Sequence, residues 1–317
     1  MPVTAVNFHY VGMPRYPHAG VNSLSVEKFG EILEAMGRHF EFIGLPDLRR
    51  LLEGGGFPEA DLCLVTFDDG LRCQSETALP ELRRLGVPAA FFVSSGPRAH
   101  GRAAATHKLH FLRATRGDHT LFEALEKARG DGLLDSSPTE LDPETISRHY
   151  RYDAPEAAAL KFFFNYHLDA EKAEHVLDVL FSACGIDEAA FVDEFYMSRE
   201  QIRELGALGA VGSHGVSHRP LARLDPDRAR RELAESRRDL EEWSGAPVEF
   251  VSYPFGNEKA VDRTTGQLAA GAGYRGGFTM ERAKNRTAAD PLLLARIDVL
   301  DVDGRDGLPF RSRYWQE

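Results

Sequence analysis

The chain has 317 residues, which suits two domains or one (β/α) barrel with an insertion. Its net charge is -11 and it has no basic run or stripe, which excludes a nucleic-acid role and makes a strongly anionic polymer an awkward partner. Its three cysteines, Cys63, Cys73 and Cys184, show no pairing pattern, the N-terminal residues lack the charged and apolar regions of a leader, and no run reaches the length of a membrane span, so a cytoplasmic protein is expected.

In chain order, Val3 to Tyr10 reads as a first strand. His9 stands at its end and is read either as a packed or solvent-facing histidine or as a residue of a functional rim. Ser25 is placed to cap a helix whose apolar stripe is Phe29, Ile32, Leu33 and Met36. Phe42-Ile43 reads as a short strand, and Pro46 to Glu53 as a helix.

The most informative stretch is Leu62 to Gly70. A short apolar, β-rich run reads as a buried strand, and Gly70 ends it. Asp68 and Asp69 therefore stand where a strand stops, the edge at which α/β proteins bind ligands. Side chains adjacent on a strand point to opposite faces, so one could hold a metal while the other handles a proton. An Asp-Asp-Gly turn is the plainer alternative. A helix over Glu76 to Leu85 and a strand over Pro88 to Val93 continue the alternation, which argues for a parallel sheet or barrel.

From Gly101 to Asp193 the alternation stops and long helical patterns take over, at Thr120 to Arg129, Ala154 to Phe164 and Ala170 to Cys184. We read this as a helical insertion that shapes the pocket or serves dimerisation. His107 and His110 are either surface histidines or lid residues, and Phe162, Phe163, Phe164 and Tyr166 form a subdomain core or a sugar-stacking platform. Ser198 and Gln201 form a capping box that restarts the alternation. A strand over Ala210 to Ser213 leads into His214 and His218, whose spacing puts both imidazoles on one face if the segment is helical. Imidazole nitrogen with carboxylate oxygen is a donor set for a first-row metal, zinc by default. Asp225 caps a helix to about Trp243. Val248 to Tyr253 is a strand closed by Pro254-Phe255-Gly256, residues 262–272 a small-residue helix, and Gly277 to Met280 and Ala295 to Val302 the closing strands. Gly271-x-Gly273 ends a helix and so is no dinucleotide fingerprint.

With these residues in hand, the sequence resembles the polysaccharide deacetylase family, the family four carbohydrate esterases. Thr66-Phe67-Asp68-Asp69-Gly70 is similar to that family's first motif, and His214 to His218 to the second, with Gly215 in place of the usual Ser or Thr. Ser252-Tyr253-Pro254-Phe255-Gly256 is similar to the third. The resemblance covers about residues 1–100 and 196–300. It implies an α/β fold, a distorted, TIM-like, seven-stranded (β/α) barrel formed by residues 1–100 and 196–317, with 101–195 inserted. It implies that Asp69, His214 and His218 hold a divalent metal, that Asp68 is the general base, and that the Phe255 amide faces the oxyanion.

Ser252 occupies the position where the family carries an arginine beside the base, and Arg296 is the candidate to supply that charge. No histidine follows His218, so the family's C-terminal general acid is missing, leaving His9, His107 and His110 as candidates, with Asp68 able to return its own proton. The expected activity is removal of an N-acetyl or similar acyl group from a sugar or glycoconjugate. A metal-dependent hydrolase of a small non-sugar amide, formamide or cyclic imide is a second reading, and a non-catalytic carbohydrate-binding relic a third. The expected partners are a carbohydrate or small amide and a second copy of the chain in a homodimer, with no nucleic acid and no membrane span.

Overall fold

The computed structural model describes residues 3–12, 23–54, 61–150, 153–285 and 290–301. In chain order the elements are β1 (Val3–Phe8), α1 (Val26–Gly37), β2 (Glu41–Phe42), α2 (Leu45–Leu52), β3 (Leu62–Phe67), α3 (Leu79–Leu85), β4 (Ala89–Val93) and α4 (Gly96–His100). Six helices follow without a strand among the described residues: α5 (Ala105–Arg116), α6 (Asp118–Gly130), α7 (Pro143–His149), α8 (Pro155–Phe162), α9 (Ala170–Ser182) and α10 (Glu188–Phe195). Alternation returns with α11 (Arg199–Ala207), β5 (Val211–Ser213), α12 (Pro226–Ser244), β6 (Phe250–Ser252), α13 (Arg263–Gly271), β7 (Gly276–Phe278) and β8 (Ile297–Asp298). Val302, expected at the end of the last strand, lies outside the described residues.

The caps follow local chemistry. The Ser25 hydroxyl accepts from the Lys28 amide, Ser198 and Gln201 close a reciprocal box, and Asp225 accepts from the Arg228 amide ahead of Pro226.

The chain divides into two compact units. The described residues of Met1–Met13, Ser23–Arg102 and Val192–Glu317 form one, and Ala103–Phe191 forms the other. In the first unit every strand pairing is parallel, in the order β7-β6-β5-β4-β3-β1-β8, with β2 paired to the start of β3. An isolated bridge between Phe278 and Leu294 links β7 towards the chain that enters β8, so the sheet curls into a distorted (β/α) barrel.

Successive strand residues point to opposite faces, which sorts this sheet into two cores. Val6, Phe8, Cys63, Val65, Phe67, Phe91, Val93, Val211 and Val251 pack with the helices, among them Phe29, Ile32, Leu205, Leu233 and Leu240. The opposite parity, Val3, Ala5, Leu62, Leu64, Ala90, Phe92, Phe250 and Phe278, fills the barrel interior. Two residues further along, the same parity turns polar at Asn7 and Thr66, which pair in register. The interior is thus apolar along most of each strand and polar at the carboxyl ends.

The helical unit has its own core of Leu109, Leu112, Leu121, Leu125, Leu160, Phe163, Phe164 and Leu177. Phe163 and Phe164 thus serve that core. His107 is fully buried, against the surface reading of its sequence context, and its ring lies 6.0 Å from that of the half-buried His110. No helix among the described residues is long and apolar enough to cross a membrane.

Candidate active site

β3 ends at Phe67, so Asp68 and Asp69 lie beyond the strand and strand alternation does not separate them. A left-handed turn does: Asp69 has φ 81° and Gly70 φ 72°. Glycine is required at the second position, because a Cβ there would come within 2.6 Å of Val93 Cγ1 at the end of β4. The His214–His218 segment is likewise a turn and not a helix; Gly215 at φ 71° and His218 at φ 55° are incompatible with helical continuation. Asp69, His218 and Phe255 are the non-glycine residues with positive φ among the described residues. Such backbone costs on the order of 1–3 kcal/mol per residue and gathers at functional sites.

These turns bring Asp69, His214 and His218 to one point. Asp69 Oδ1 lies 3.4 Å from His214 Nε2 and 3.1 Å from His218 Nε2, with all three side chains buried. One ligand atom from each lies within 4.8 Å of the others. The His214 Nδ1 sits 2.7 Å from the Ser252 carbonyl oxygen. A carbonyl only accepts, so Nδ1 carries the proton and neutral imidazole directs the Nε2 lone pair at the Asp69 carboxylate. Two acceptors facing each other in a buried space need a cation between them, either a proton or a metal. The oxygen-and-imidazole donor set and the spacing fit a divalent metal. Burial works against charge on His214, but the Asp68 and Asp69 carboxylates outweigh it and raise its pKa.

Asp68 faces a different set of partners. Arg296 Nη1 donates to Oδ1 and Nη2 to Oδ2, both at 2.7 Å, and Asn7 Nδ2 donates to Oδ2 at 3.1 Å. Burial alone would raise the Asp68 pKa; the charges of Arg296 and His214 and the Arg296 hydrogen bond hold it below the ordinary carboxylate value. Arg296 immediately precedes β8, is fully buried, and runs along the barrel interior with its guanidinium 5.9 Å from the Phe92 ring centroid. It also donates to Ser252 Oγ at 2.8 Å and Asn7 Oδ1 at 3.2 Å. Ser252, which stands where the family's arginine is expected, is therefore an acceptor for the arginine that reaches Asp68 from β8.

His9 follows β1, whose Phe8 pairs with Phe67 and whose Asn7 pairs with Asp298 of β8. It is half-buried and lies near both Asp68 and Asp298. The Phe255 ring packs edge-on to His218, with centroids 5.0 Å apart. The structure thus gathers Asp68, Asp69, His214, His218, Arg296, His9 and Phe255 at the strand ends of the barrel unit. His107 and His110 belong to the helical unit.

Several residues of the site escaped the sequence reading. Asn7 bridges Asp68 and Arg296. Gln74 is fully buried, accepts from the Leu71 amide, and donates to the carbonyls of His9 and Asp68, which fixes the two strand ends against each other. Tyr10 lies close enough for Asp69 to add to burial in raising its phenol pKa. Burial, with smaller contributions that include Asp69, pushes the Cys73 thiol up to about 11, so it stays protonated at neutral pH.

The fold is a distorted (β/α) barrel with an Asp/His/His cluster and a separately held carboxylate at its strand ends. The family model described as polysaccharide deacetylase matches residues 158–277, a segment that holds both histidines and Ser252–Gly256 and starts after the aspartates. Among solved structures, the deacetylase PplD of Streptococcus pyogenes, in complex with acetate, is 16% identical and aligns with a TM-score of 0.59 over 94% of this chain and 92% of its own. IcaB of Ammonifex degensii is 19% identical, with a TM-score of 0.55 over 93% of this chain and 91% of its own. The deacetylase domain of BpsB from Bordetella bronchiseptica is 16% identical, with a TM-score of 0.56 over 94% of this chain and 95% of its own. No curated protein matches. The resemblance to the polysaccharide deacetylases read from the motifs is borne out by the family match, and the fold is that of these deacetylase structures.

Proposed function

We propose that the protein removes an N-acetyl, or similar acyl, group from a sugar or glycoconjugate in a metal-dependent hydrolysis. The observation that carries this reading is the convergence of Asp69, His214 and His218 on one point, beside a separately held carboxylate, Asp68. Asp69, His214 and His218 would hold a divalent metal, zinc by donor type, which when bound supplies a Lewis acid that acidifies water and polarises the acyl carbonyl.

The remaining chemistry falls to the chain. Asp68 is ionised at neutral pH and takes the proton of the attacking water. Its atoms are not equivalent. Oδ2 accepts from both Arg296 and Asn7, whereas Oδ1 accepts from Arg296 alone among the described residues. A carboxylate oxygen has two lone pairs, so Oδ1 is the atom left to take the proton. Arg296 keeps the carboxylate charged and fixes its plane. The Phe255 N–H, in the turn beside His218, is assigned to the developing oxyanion. His9 is assigned the proton that the departing amine requires. The acetate held by the Streptococcus pyogenes deacetylase is the acid this reaction would release.

The test is acyl release from a panel of N-acetylated sugars, small formamides and cyclic imides. Acetate from the sugars, lost on chelation and restored by Zn²⁺, supports the proposal. Formate alone, or no acyl release from any metal-loaded preparation, contradicts it.

A further inference from the structure

We infer that Glu232 is a positioning residue for the metal ligands: its carboxylate sets the turn that aims His218 at Asp69. This rests on the metal-site reading given above.

The two histidines are held by different means. The His214 ring is fixed directly, through Nδ1 on the Ser252 carbonyl. His218 leaves a tight turn at φ 55°, with its ring edge-on against Phe255. That turn is gripped from both sides. Ser95 and Gly96 donate their amides to the carbonyls of Gly215 and Val216, each at 3.0 Å. On the other side Glu232, on α12, takes the donors. Its Oε2 accepts the Val216 amide at 2.9 Å and the Ser217 amide at 2.8 Å, and its Oε1 accepts the Ser217 hydroxyl at 2.6 Å.

Two successive N–H groups converging on one oxygen form a small anion-binding concavity, and Glu232 is the internal anion that fills it. Hydrogen bonds to a charged acceptor are about twice as strong as neutral ones. Glu232 is 9% exposed, so little water stands ready to replace it. Gly215 fits the same arrangement. It needs φ 71°, and a Cβ there would lie 3.6 Å from Glu232 Oε2, so the strain of a side chain would be conformational rather than steric. The turn's hydroxyl stands at Ser217 and meets Glu232. Outer partners of this kind orient metal ligands, and their loss typically lowers metal affinity roughly 10–100-fold.

The test is Co²⁺ titration of the metal-free protein, following visible absorption, with the melting of each metal-free variant recorded alongside. Glu232→Ala should weaken binding roughly 10–100-fold and alter the Co²⁺ spectrum while the metal-free protein still melts cooperatively. Glu232→Gln keeps one acceptor oxygen for the two amides and should recover part of the loss. Should Glu232→Ala not fold, Ser217→Ala, which removes only the hydroxyl bond, decides in its place by a smaller loss and a shifted spectrum. Unchanged affinity and spectrum in the folded variants would overturn the role of Glu232. Equal Co²⁺ binding by the wild type and His214→Ala would instead overturn the metal site itself, and the inference with it.

Discussion

Arg296 and Asp68 meet through two hydrogen bonds of 2.7 Å each, with 0% and 4% of their side chains exposed. Such a fork-on-fork pair fixes the plane of the carboxylate as well as its charge. The geometry that keeps Asp68 ionised also makes the pair costly to disturb.

Arg296→Met should therefore destabilise the protein by about 3–5 kcal/mol, because it leaves a buried carboxylate without its counter-charge. Urea denaturation at neutral pH measures this. The double variant Asp68→Asn/Arg296→Met should recover a substantial part, since the uncompensated charge is then gone. A loss below about 1 kcal/mol in the single variant, the range of an exposed ion pair, would contradict the buried bidentate arrangement.

The pair also fixes the sign of a pH effect. The folded-state pKa of Asp68 lies below its ordinary value of 3.8, so its contribution is fully present above that value and is lost as pH falls through the depressed one. The wild type should lose this stability only below about pH 4, whereas Arg296→Met, lacking the depressing charge, should show no such loss from Asp68. Denaturation midpoints across pH 2–6 compare the two, and parallel profiles would refute the assignment.

Gln74→Leu should destabilise the fold, since it strips buried partners from the Leu71 amide and the carbonyls of His9 and Asp68. Each buried polar group left unmatched costs about 1–3 kcal/mol. Urea denaturation should register the loss, and a midpoint equal to that of the wild type would show that these bonds are replaceable.

His9→Ala separates proton donation from metal chemistry. With an N-acetyl sugar, whose amine must be protonated to leave, turnover should fall by about 10²–10⁴. With an activated aryl acetate, whose leaving group departs unprotonated, the variant should stay close to the wild type. An equal loss on both substrates would remove His9 from the role of acid.

How much of this was legible in the sequence depended on how local the interaction is. The Thr66–Gly70 stretch announced a strand end with two carboxylates, and the caps at Ser25, Ser198 and Asp225 are local chemistry that the structure reproduces. The spacing of His214 and His218 identified the residues but not their conformation, because positive φ at Gly215 and His218 replaces a helix by a turn. Asn7 and Glu232 act across strand register or between separate elements, and Gln74 joins its own loop to the distant His9 carbonyl, which no local pattern encodes. Asn7 did leave a trace: it continues the inward parity of Val3 and Ala5 and breaks its apolar character where the strand ends. Arg296 was reachable only as a candidate for a missing charge, since its 228-residue separation from Asp68 hides the pairing until β8 is docked on β1.

The proposed mechanism gives two adjacent aspartates different tasks, and metal content measured beside turnover separates them. Asp68→Asn should retain the metal, because Asp68 is turned to Arg296 and Asn7, and should lower acetate release by about 10²–10⁴. Asp69→Asn should lose metal first and activity in consequence, with partial recovery at high Zn²⁺, because Asp69 Oδ1 faces both histidines. Equal metal loss in the two variants, or an Asp69→Asn protein that binds metal as tightly as the wild type, would contradict the assignment.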